Sequence, residues 1–316
     1  MKHQQMIVHL FMYCCFMIDL EGLVSLRAVD AHGSVVAAAT ALGFTPSAVS
    51  QQVKRLERQA GVALLERVGR GVMLTEQGRH LVDQGARLLT DLEEIEAGLH
   101  RSANTVAGPL RLAAFSTAMR GLVAPALPGL LAAYPNLQVS LTEHEPWDTI
   151  DLVATGHCEV GLVHSWGATP LAIPEHVQAV VLAYDVADVL VPAGHRLAGR
   201  RRVSPKDLID EAWIATPEGT ICREWLQRMH DGMPHPPRIA HQSVEFETHI
   251  ALVAAGLGIA LVPRLGRAEL PDGAVAVAVH NPVPTREITA LHRRSMSQSP
   301  AVTAVIESLR NGQRSR

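Results

Sequence analysis

The stretch Ser34–Gln52, SVVAAATALGFTPSAVSQQ, predicts two short helices joined by a tight turn. Ser34 can cap the first helix, and Gly43 can end it because glycine adopts a positive φ without a Cβ clash. Thr45 can cap the second helix, whose first position is Pro46, where the missing N–H costs nothing. This arrangement is typical of a helix-turn-helix, whose second helix enters the major groove of DNA.

The second of these helices has an apolar face and an opposite, mostly polar face. Val49, Val53 and Leu56 recur at helical spacing and are expected to point into the domain. The opposite face carries Ser47, Ala48, Ser50, Gln51, Lys54 and Arg55. An amphipathic surface helix with no nucleic-acid partner would show the same pattern, so the helix pair alone leaves DNA binding open.

The following segment favours DNA binding. Residues 64–75, LLERVGRGVMLT, predict two short strands around a glycine-flanked arginine, a hairpin that would place Arg67 and Arg70 on the phosphate backbone. The chain of 316 residues has a formal net charge of -3, yet residues 45–80 contain six lysine and arginine residues and three glutamates. Phosphate contacts need such a local excess of cations and not a basic chain as a whole.

Residues 20–78 resemble the DNA-binding domain of LysR-type transcriptional regulators. The matching residues are Ala38-Ala39, Leu42, Pro46-Ser47-Ala48-Val49-Ser50-Gln51-Gln52, Leu56-Glu57, Gly61, Leu64-Leu65-Glu66-Arg67 and Leu74-Thr75 with Gly78. The family usually has Phe where Leu65 stands, a change that a core tolerates. The resemblance implies a winged helix-turn-helix over residues 18–75 that contacts double-stranded DNA through Ser34, Thr45, Ser47, Ala48, Ser50, Gln51, Lys54, Arg55, Arg67 and Arg70.

A long helix is predicted to follow, within a linker of residues 76–107. Its leucine and isoleucine residues form a heptad seam that Gly85 interrupts. The seam comprises Leu81, Leu88, Leu92, Ile95 and Leu99. The helix either packs on its own domain or pairs with a second copy of the chain, and we favour pairing because a winged-helix reader generally binds a two-fold site. The resemblance adds that such dimers often pair into tetramers.

From Leu110 onward, short strands alternate with helices, which predicts an α/β domain with a parallel sheet. This part resembles the effector-binding half of LysR-type regulators, similar in fold to periplasmic solute-binding proteins. The matching features are Gly108-x-Leu110-Arg111-Leu112, Tyr134-Pro135 and residues 255–263, AGLGIALVP. The resemblance implies two lobes, about 108–165 plus 275–316 and 166–270. The chain would cross between them near 164–166 and between about 265 and 280, and a small ligand would bind in the cleft.

Six residues are candidates for contacts to that effector: Ser116, Thr117, Trp147, His164, Thr216 and Phe246. Ser116 and Thr117 lie at a strand-to-helix junction, where hydroxyls and free N–H groups can bind an anion or merely cap the helix. Trp147 would form either an aromatic wall of the cleft or part of the core.

Metal and redox chemistry receive little support from the sequence. No pair of the sixteen histidines has HxxxH or HExxH spacing, and we expect neither a metal nor a cofactor. The four cysteines include no CxxC pair, which fits the reducing cytoplasm. Cys222 opens a predicted helix beside Arg223 and is either a quiet structural thiol or a reactive one, as in a peroxide-sensing branch of the family. No Ser/His/Asp triad or paired carboxylates indicate an enzyme.

Residues 1–17 precede the point where a LysR-type chain normally begins. We interpret them as a non-native extension, the alternative being an apolar tail that packs on the domain.

The whole chain is expected to be a cytoplasmic transcription regulator that binds DNA, a small effector and itself, with RNA polymerase as a further possible partner and no membrane contact. An enzyme or a solute-binding protein is the alternative for the two-lobed domain.

Overall fold

The computed structural model describes residues 18–69, 71–103, 105–167 and 171–314. The chain separates into two compact units, one ending at Leu99 and the other beginning at His100. The interpretation of residues 1–17 and the contact expected of Arg70 fall outside the described residues. The domain limits at 18, 75 and 107 stay predictions.

The first unit is a three-helix domain with a two-stranded wing. Its elements are α1 (Leu20–His32), α2 (Val35–Leu42), α3 (Pro46–Ala60), β1 (Leu65–Val68), β2 (Gly71–Leu74) and the beginning of α4 (Glu76–Ser102). Leu26, Val53 and Leu56 form a buried cluster with Leu64, which precedes β1, and Leu74, which ends β2. The antiparallel pairing of β1 with β2 confirms the predicted hairpin.

The second unit is the α/β part, and its elements follow in chain order. The first group is β3 (Gly108–Ala114), α5 (Ser116–Ala118), a π-helical turn (Met119–Val123), α6 (Ala124–Ala133), β4 (Leu137–Glu143), α7 (Pro146–Ala154), β5 (Val160–Trp166) and β6 (Val177–Pro192). The second is β7 (Arg202–Val203), a 3-10 turn (Pro205–Leu208), β8 (Ala212–Ala215), α8 (Ile221–Met229), β9 (Arg238–Gln242), α9 (Phe246–Ala254), β10 (Ile259–Pro263) and β11 (Ala274–Val279). The last is β12 (Thr285–Arg293), a 3-10 turn (Arg294–Gln298) and α10 (Pro300–Arg314).

Two sheets share the long strand β6, and each sheet forms one lobe. The first has the order β4-β3-β5-β12-β6, and the second continues as β6-β10-β8-β9, with β11 pairing β6 and β7. β3 runs parallel to β4 and β5, whereas β12 runs antiparallel to β5 and β6. The predicted two-lobed α/β architecture is thus confirmed, but the prediction of a parallel sheet was wrong. Both sheets are mixed, because β6 and β12, the strands beside the crossings, run antiparallel to their neighbours.

The sequence-based limits of the lobes need correction. Residues 177–186 of β6 pair with β12 in the first sheet, and residues 187–192 pair with β10 and β11 in the second. The chain therefore first crosses within β6, beyond the predicted 164–166. Two aspartates of β6 interrupt its apolar pattern and so hide the full length of the strand in the sequence. Both are satisfied inside the sheet by arginines, Asp185 by Arg286 and Asp188 by Arg264.

The return crossing also lies later than predicted. Residues 274–279 form β11 in the second sheet, whereas the sequence had assigned residues from 275 onward to the first lobe. The chain returns over residues 280–284, between β11 and β12, and not between 265 and 280. The turn at Pro271-Asp272-Gly273 marks the start of β11 in the sequence, but no local pattern shows which lobe the strand joins, because that depends on its pairing with the distant β6.

Candidate functional site

The helix pair α2 and α3 is fixed at both ends by its own caps. The hydroxyl of Ser34 accepts the N–H of Ala37 at 3.1 Å, and that of Thr45 accepts the N–H of Ala48 at 3.2 Å. Gly43 ends α2 with φ 69°, a value that favours glycine. The predicted limits of both helices are confirmed.

The core fixes the rotation of α3 about its axis. Val49, Val53 and Leu56 are buried, so the opposite face points outward. Ser47, Gln51, Lys54 and Arg55 are exposed, and Ala48 and Ser50 are half-buried. Gln52 lies between the two faces and accepts a hydrogen bond from the hydroxyl of Ser25 at 2.6 Å. The residues expected to read DNA thus lie on one accessible surface, although the guanidinium of Arg55 also pairs with Asp19 at 3.5 Å.

The wing is tied to α3 by one carboxylate that the sequence did not single out. Oε1 of Glu57 accepts the backbone N–H groups of Leu64 and Leu65 at 2.9 and 3.1 Å. Leu64 and Leu65 lie at the start of the wing, so the carboxylate of Glu57 fixes the start of the hairpin relative to α3. Arg67, in β1, is exposed and available for a phosphate contact.

The second candidate site lies where β3, β5, β6 and β12 meet. Thr117, in the first helical turn after β3, is buried, and its hydroxyl accepts a hydrogen bond from Nη2 of Arg286 at 2.8 Å. Nε of Arg286 donates to Asp185 at 2.9 Å, and the Phe115 ring centroid lies 5.2 Å from the guanidinium carbon. Arg286 and Asp185 were not predicted from the sequence, because β6 contains a second aspartate and Arg286 is followed by Glu287, so neither charge stands out.

His164 contributes to the same cluster. Its ring meets Phe115 edge-on with centroids 4.6 Å apart, and the side chain is buried. Burial, helped by the positive charge of Arg286, lowers the pKa of His164 well below its usual value. The imidazole is therefore neutral at physiological pH.

Thr216 and Phe246, the effector candidates of the second lobe, make contacts with residues of the same lobe. The hydroxyl of Thr216 lies 2.7 Å from that of Thr220, at the N-terminus of α8. Phe246 opens α9 and packs edge-on against His249, with ring centroids 5.3 Å apart. The structure does not show Phe246 in contact with the cluster around Arg286.

Trp147 connects the two lobes. Its indole N–H donates to the carbonyl oxygen of Gly219 in the second lobe at 3.2 Å, and the side chain is 39% exposed. Of the two interpretations given by the sequence, a position at the margin of the lobes fits better than one in the core.

Cys222 lies in α8 beside the cleft cluster. Burial raises the pKa of its thiol to about 11, and this effect outweighs the opposing charge of Arg286. The protonated form therefore prevails at neutral pH, whereas a low-pKa thiolate is the form that reacts readily. Among the described residues no group of three or more His, Cys, Asp or Glu side chains could hold a metal ion.

Comparison with known proteins matches both parts of the chain to family models. Residues 103–314 match the model of the LysR substrate binding domain, and residues 20–79 match that of the bacterial regulatory helix-turn-helix protein of the lysR family. The chain belongs to the LysR family of bacterial transcriptional regulators.

Two relatives illustrate the LysR-type similarity. The small neutral protease regulatory protein of Streptomyces coelicolor is 30% identical over 285 residues, which cover 88% of this chain and 83% of the relative. A probable RuBisCO transcriptional regulator of Chlorokybus atmophyticus is 30% identical over 219 residues, 67% of this chain and 68% of the relative.

Solved structures of LysR-type regulators share the fold. A full-length OxyR variant from Pseudomonas aeruginosa has a TM-score of 0.70 at 23% identity, covering 93% of this chain and 95% of that one. HinK, a LysR family regulator from the same organism, has a TM-score of 0.58 at 22% identity, and the match covers 93% of this chain and 98% of that one. This protein is thus a transcription regulator with a helix-turn-helix DNA-binding domain and an effector-binding domain. No helix of the described residues has the length and apolar character needed to cross a membrane.

Proposed function

We propose that this LysR-type regulator reads its operator with the exposed face of α3 and responds to a small molecule held between its two lobes. The orientation of α3 carries the first half of the proposal. Its buried stripe and its N-terminal cap leave Ser47 and Gln51 outward on consecutive helical turns. Such a face, near the N-terminus of a recognition helix, is the part that meets base edges.

The contacts divide into base reading and phosphate binding. Gln51 can donate and accept at the same base, which suits adenine. Ser47, Ala48 and Ser50 complete the base-reading face. Lys54, Arg55, Arg67 and Arg70 would bind phosphates, Arg70 being assigned from the sequence alone. Ser34 and Thr45 cap their helices, so each would bring a helix N-terminus to the DNA backbone.

Substitution of Gln51 tests the reading face. Gln51→Ala should relax the preference for one base pair by about 1–3 kcal/mol, measured by competition between duplexes that differ at single positions. Gln84→Ala, which changes an exposed glutamine of α4, is the matched control and should leave the preference unchanged. Unaltered affinity and preference in Gln51→Ala would show that the reading face lies elsewhere.

Substitution of Arg67 tests the wing separately. Arg67→Ala should weaken binding to all duplexes alike and reduce the dependence of affinity on salt, because each phosphate contact releases condensed counterions. A loss confined to one duplex sequence would contradict a phosphate contact.

The effector would act on the relation between the two lobes. In our proposal it contacts Ser116 and Thr117 from the first lobe and Thr216 and Phe246 from the second, close to His164 and Trp147. A ligand shifts an equilibrium only by its different affinity for the two states, so contacts to both lobes are what allow it to change their angle. The two crossings, in β6 and in residues 280–284, are the segments about which the angle would change.

A second copy of the chain is the proposed partner of α4. Leu88, Leu92, Ile95 and Leu99 are exposed in the single chain, and they recur along one stripe of the helix. Burying this seam between two copies would form a dimer, and dimers would pair into tetramers. Contact with RNA polymerase is a further part of the proposal that rests on the family alone.

The two-lobed domain would bind its effector without chemical change and would work in the cytoplasm, where the DNA lies. The relatives are transcriptional regulators, which supports a binding role for this domain. Recovery of an unaltered effector after incubation with the protein tests this point, and its conversion to a product would favour an enzyme.

A further inference from the structure

Three polar and aromatic side chains form a row across the centre of the effector-binding domain. In the antiparallel pairing Arg286 of β12 is the register partner of Trp166 in β5 and of Asp185 in β6. His164 lies two residues before Trp166 in β5 and therefore on the same face of the sheet. The guanidinium carbon is 5.8 Å from the Trp166 ring centroid.

The hydrogen bonds of Arg286 are incomplete. Nε donates to Oδ2 of Asp185, and Nη2 donates to Thr117 and forms an ion pair with the same Oδ2 at 2.8 Å. Nη1 has no hydrogen-bond partner among the described residues, although the side chain is 0% exposed. Nδ1 of His164 is also buried and without a partner in that part of the chain. Leaving a buried N–H of a charged group without a hydrogen bond costs free energy, so Nη1 of Arg286 requires an acceptor.

The carboxylate of Asp185 cannot supply this acceptor. It lies on the Nε and Nη2 edge of the guanidinium, with Oδ2 2.9 and 2.8 Å from those two atoms, and this edge points away from Nη1. Its Oδ1 accepts the backbone N–H of Leu265 at 3.0 Å. Glu145, another acid near the guanidinium, does not hydrogen-bond to Nη1 within the described part of the chain. A bound molecule is therefore the natural source of the missing acceptor.

We propose that the effector is a carboxylic acid, whose carboxylate accepts hydrogen bonds from Nη1 of Arg286 while its apolar part lies against Phe115 and Trp166. This inference rests on the proposed effector-binding function and names the chemical class of the ligand. Hydrogen bonds from a guanidinium to a carboxylate are charge-assisted and roughly twice as strong as neutral ones, which favours an acid over an amide or an alcohol. The two aromatic rings beside the guanidinium provide the apolar contact that small-molecule sites require.

The test compares acids with their amides at constant ionic strength on the full chain. The probes are propionate, succinate and phenylacetate, each paired with its amide, and the readout is the midpoint of thermal unfolding. A ligand at about a hundred times its Kd should raise the midpoint by roughly 5–10 °C. We expect a saturable rise with at least one of these acids and none with its amide.

Two conservative variants locate the effect. Arg286→Lys keeps a cation beside Asp185 but lacks the planar fork, and it should weaken the response to the acid at least tenfold. Arg264→Lys is the matched control, because Arg264 also pairs with an aspartate of β6, Asp188, through Nε and Nη2. Its response should equal that of the wild type. If Arg286→Lys does not fold, a crystal structure of the wild type with the stabilising acid replaces it. The distance from the carboxylate to Nη1 then shows whether the acid binds at Arg286.

Several outcomes overturn the proposal. They are no midpoint rise with any of the acids, an equal rise with acid and amide, an unchanged response in Arg286→Lys, and a carboxylate bound away from Nη1. Duplex binding is measured in parallel to separate this inference from the proposed function. If an amide, and not its acid, changes duplex binding, the effector-binding function stands and only the acidic class of ligand fails.

Discussion

Replacing Thr117 by Val removes one hydroxyl from the effector-binding domain and preserves nearly the same volume. That hydroxyl accepts a hydrogen bond from Nη2 of Arg286 at 2.8 Å, and both side chains are almost fully buried. The substitution leaves an N–H of a buried cation without its acceptor. The interaction with Asp185 remains, so the pair of charges itself is not broken.

The expected loss follows from the charge on the donor. Hydrogen bonds to charged groups contribute about 1.5–3 kcal/mol, whereas neutral ones contribute about 0.5–1.5 kcal/mol. Because this domain has roughly 200 residues, each kcal/mol corresponds to about 2–4 °C in the unfolding midpoint. Thr117→Val should therefore lower the midpoint of the effector-binding domain by about 3–12 °C.

Thr216→Val is the matched control. It makes the same change at a buried threonine whose hydroxyl pairs with a neutral partner, Thr220. Thr220 keeps other partners, donating to the carbonyl of Pro217 at 2.8 Å and accepting the N–H of Arg223 at 3.3 Å. The loss of stability in Thr216→Val should therefore lie in the range for neutral hydrogen bonds, about 0.5–1.5 kcal/mol. Calorimetry of both variants without ligand gives the comparison, and a Thr117→Val loss no greater than that of Thr216→Val would refute the role assigned to Arg286.

Three further predictions concern the dimer, the wing and pH. Leu92→Asp should place a charge in the exposed seam of α4 and dissociate the dimer, and unchanged sedimentation would exclude that seam. Gly78→Ala should destabilise the DNA-binding domain by about 1–3 kcal/mol, because a Cβ there would lie 2.2 Å from the carbonyl oxygen of Leu64. A Cβ at Gly98 would have no atom within 4 Å, so Gly98→Ala should not destabilise the domain. Equal midpoints of chemical denaturation for the two variants would contradict this difference. Burial lowers the pKa of His164, so its neutral form favours folding above the unfolded-state pKa near 6.5, and stability is lost as pH falls below that value. His164→Gln should make the fall in stability between pH 7 and pH 5 shallower, by an amount that grows toward about 1.4 kcal/mol per pH unit at the acidic end, and an unchanged slope would argue against a neutral buried imidazole.

The DNA-binding domain was largely predictable because its signals are local. Ser34, Gly43, Thr45 and Pro46 mark the ends of two helices through interactions within four residues. The inward stripe of α3 also follows from spacing alone. By contrast, Glu57 supports the wing through backbone groups seven and eight residues away, and no local pattern in the sequence reveals that contact.

The effector-binding domain was predictable as an architecture but not in its polar centre. Asp185 and Arg286 are 101 residues apart, and they become register partners only when β6 and β12 pair. In the sequence each is one of several charged residues in its strand, so neither stands out. Thr117 was identified from its strand-to-helix junction, but its contact with Arg286 depends on the same long-range pairing.

Selection from a random library of DNA duplexes tests whether α3 reads DNA, with the full-length protein and a variant carrying Ser47→Ala and Gln51→Ala. The wild type should enrich one two-fold-symmetric sequence. The variant should lose the preference at equivalent positions of both half-sites while still binding duplexes with similar salt dependence. Failure of the wild type to enrich any sequence, or enrichment of the same sequence by the variant, would contradict the assignment of α3 as the element that reads DNA.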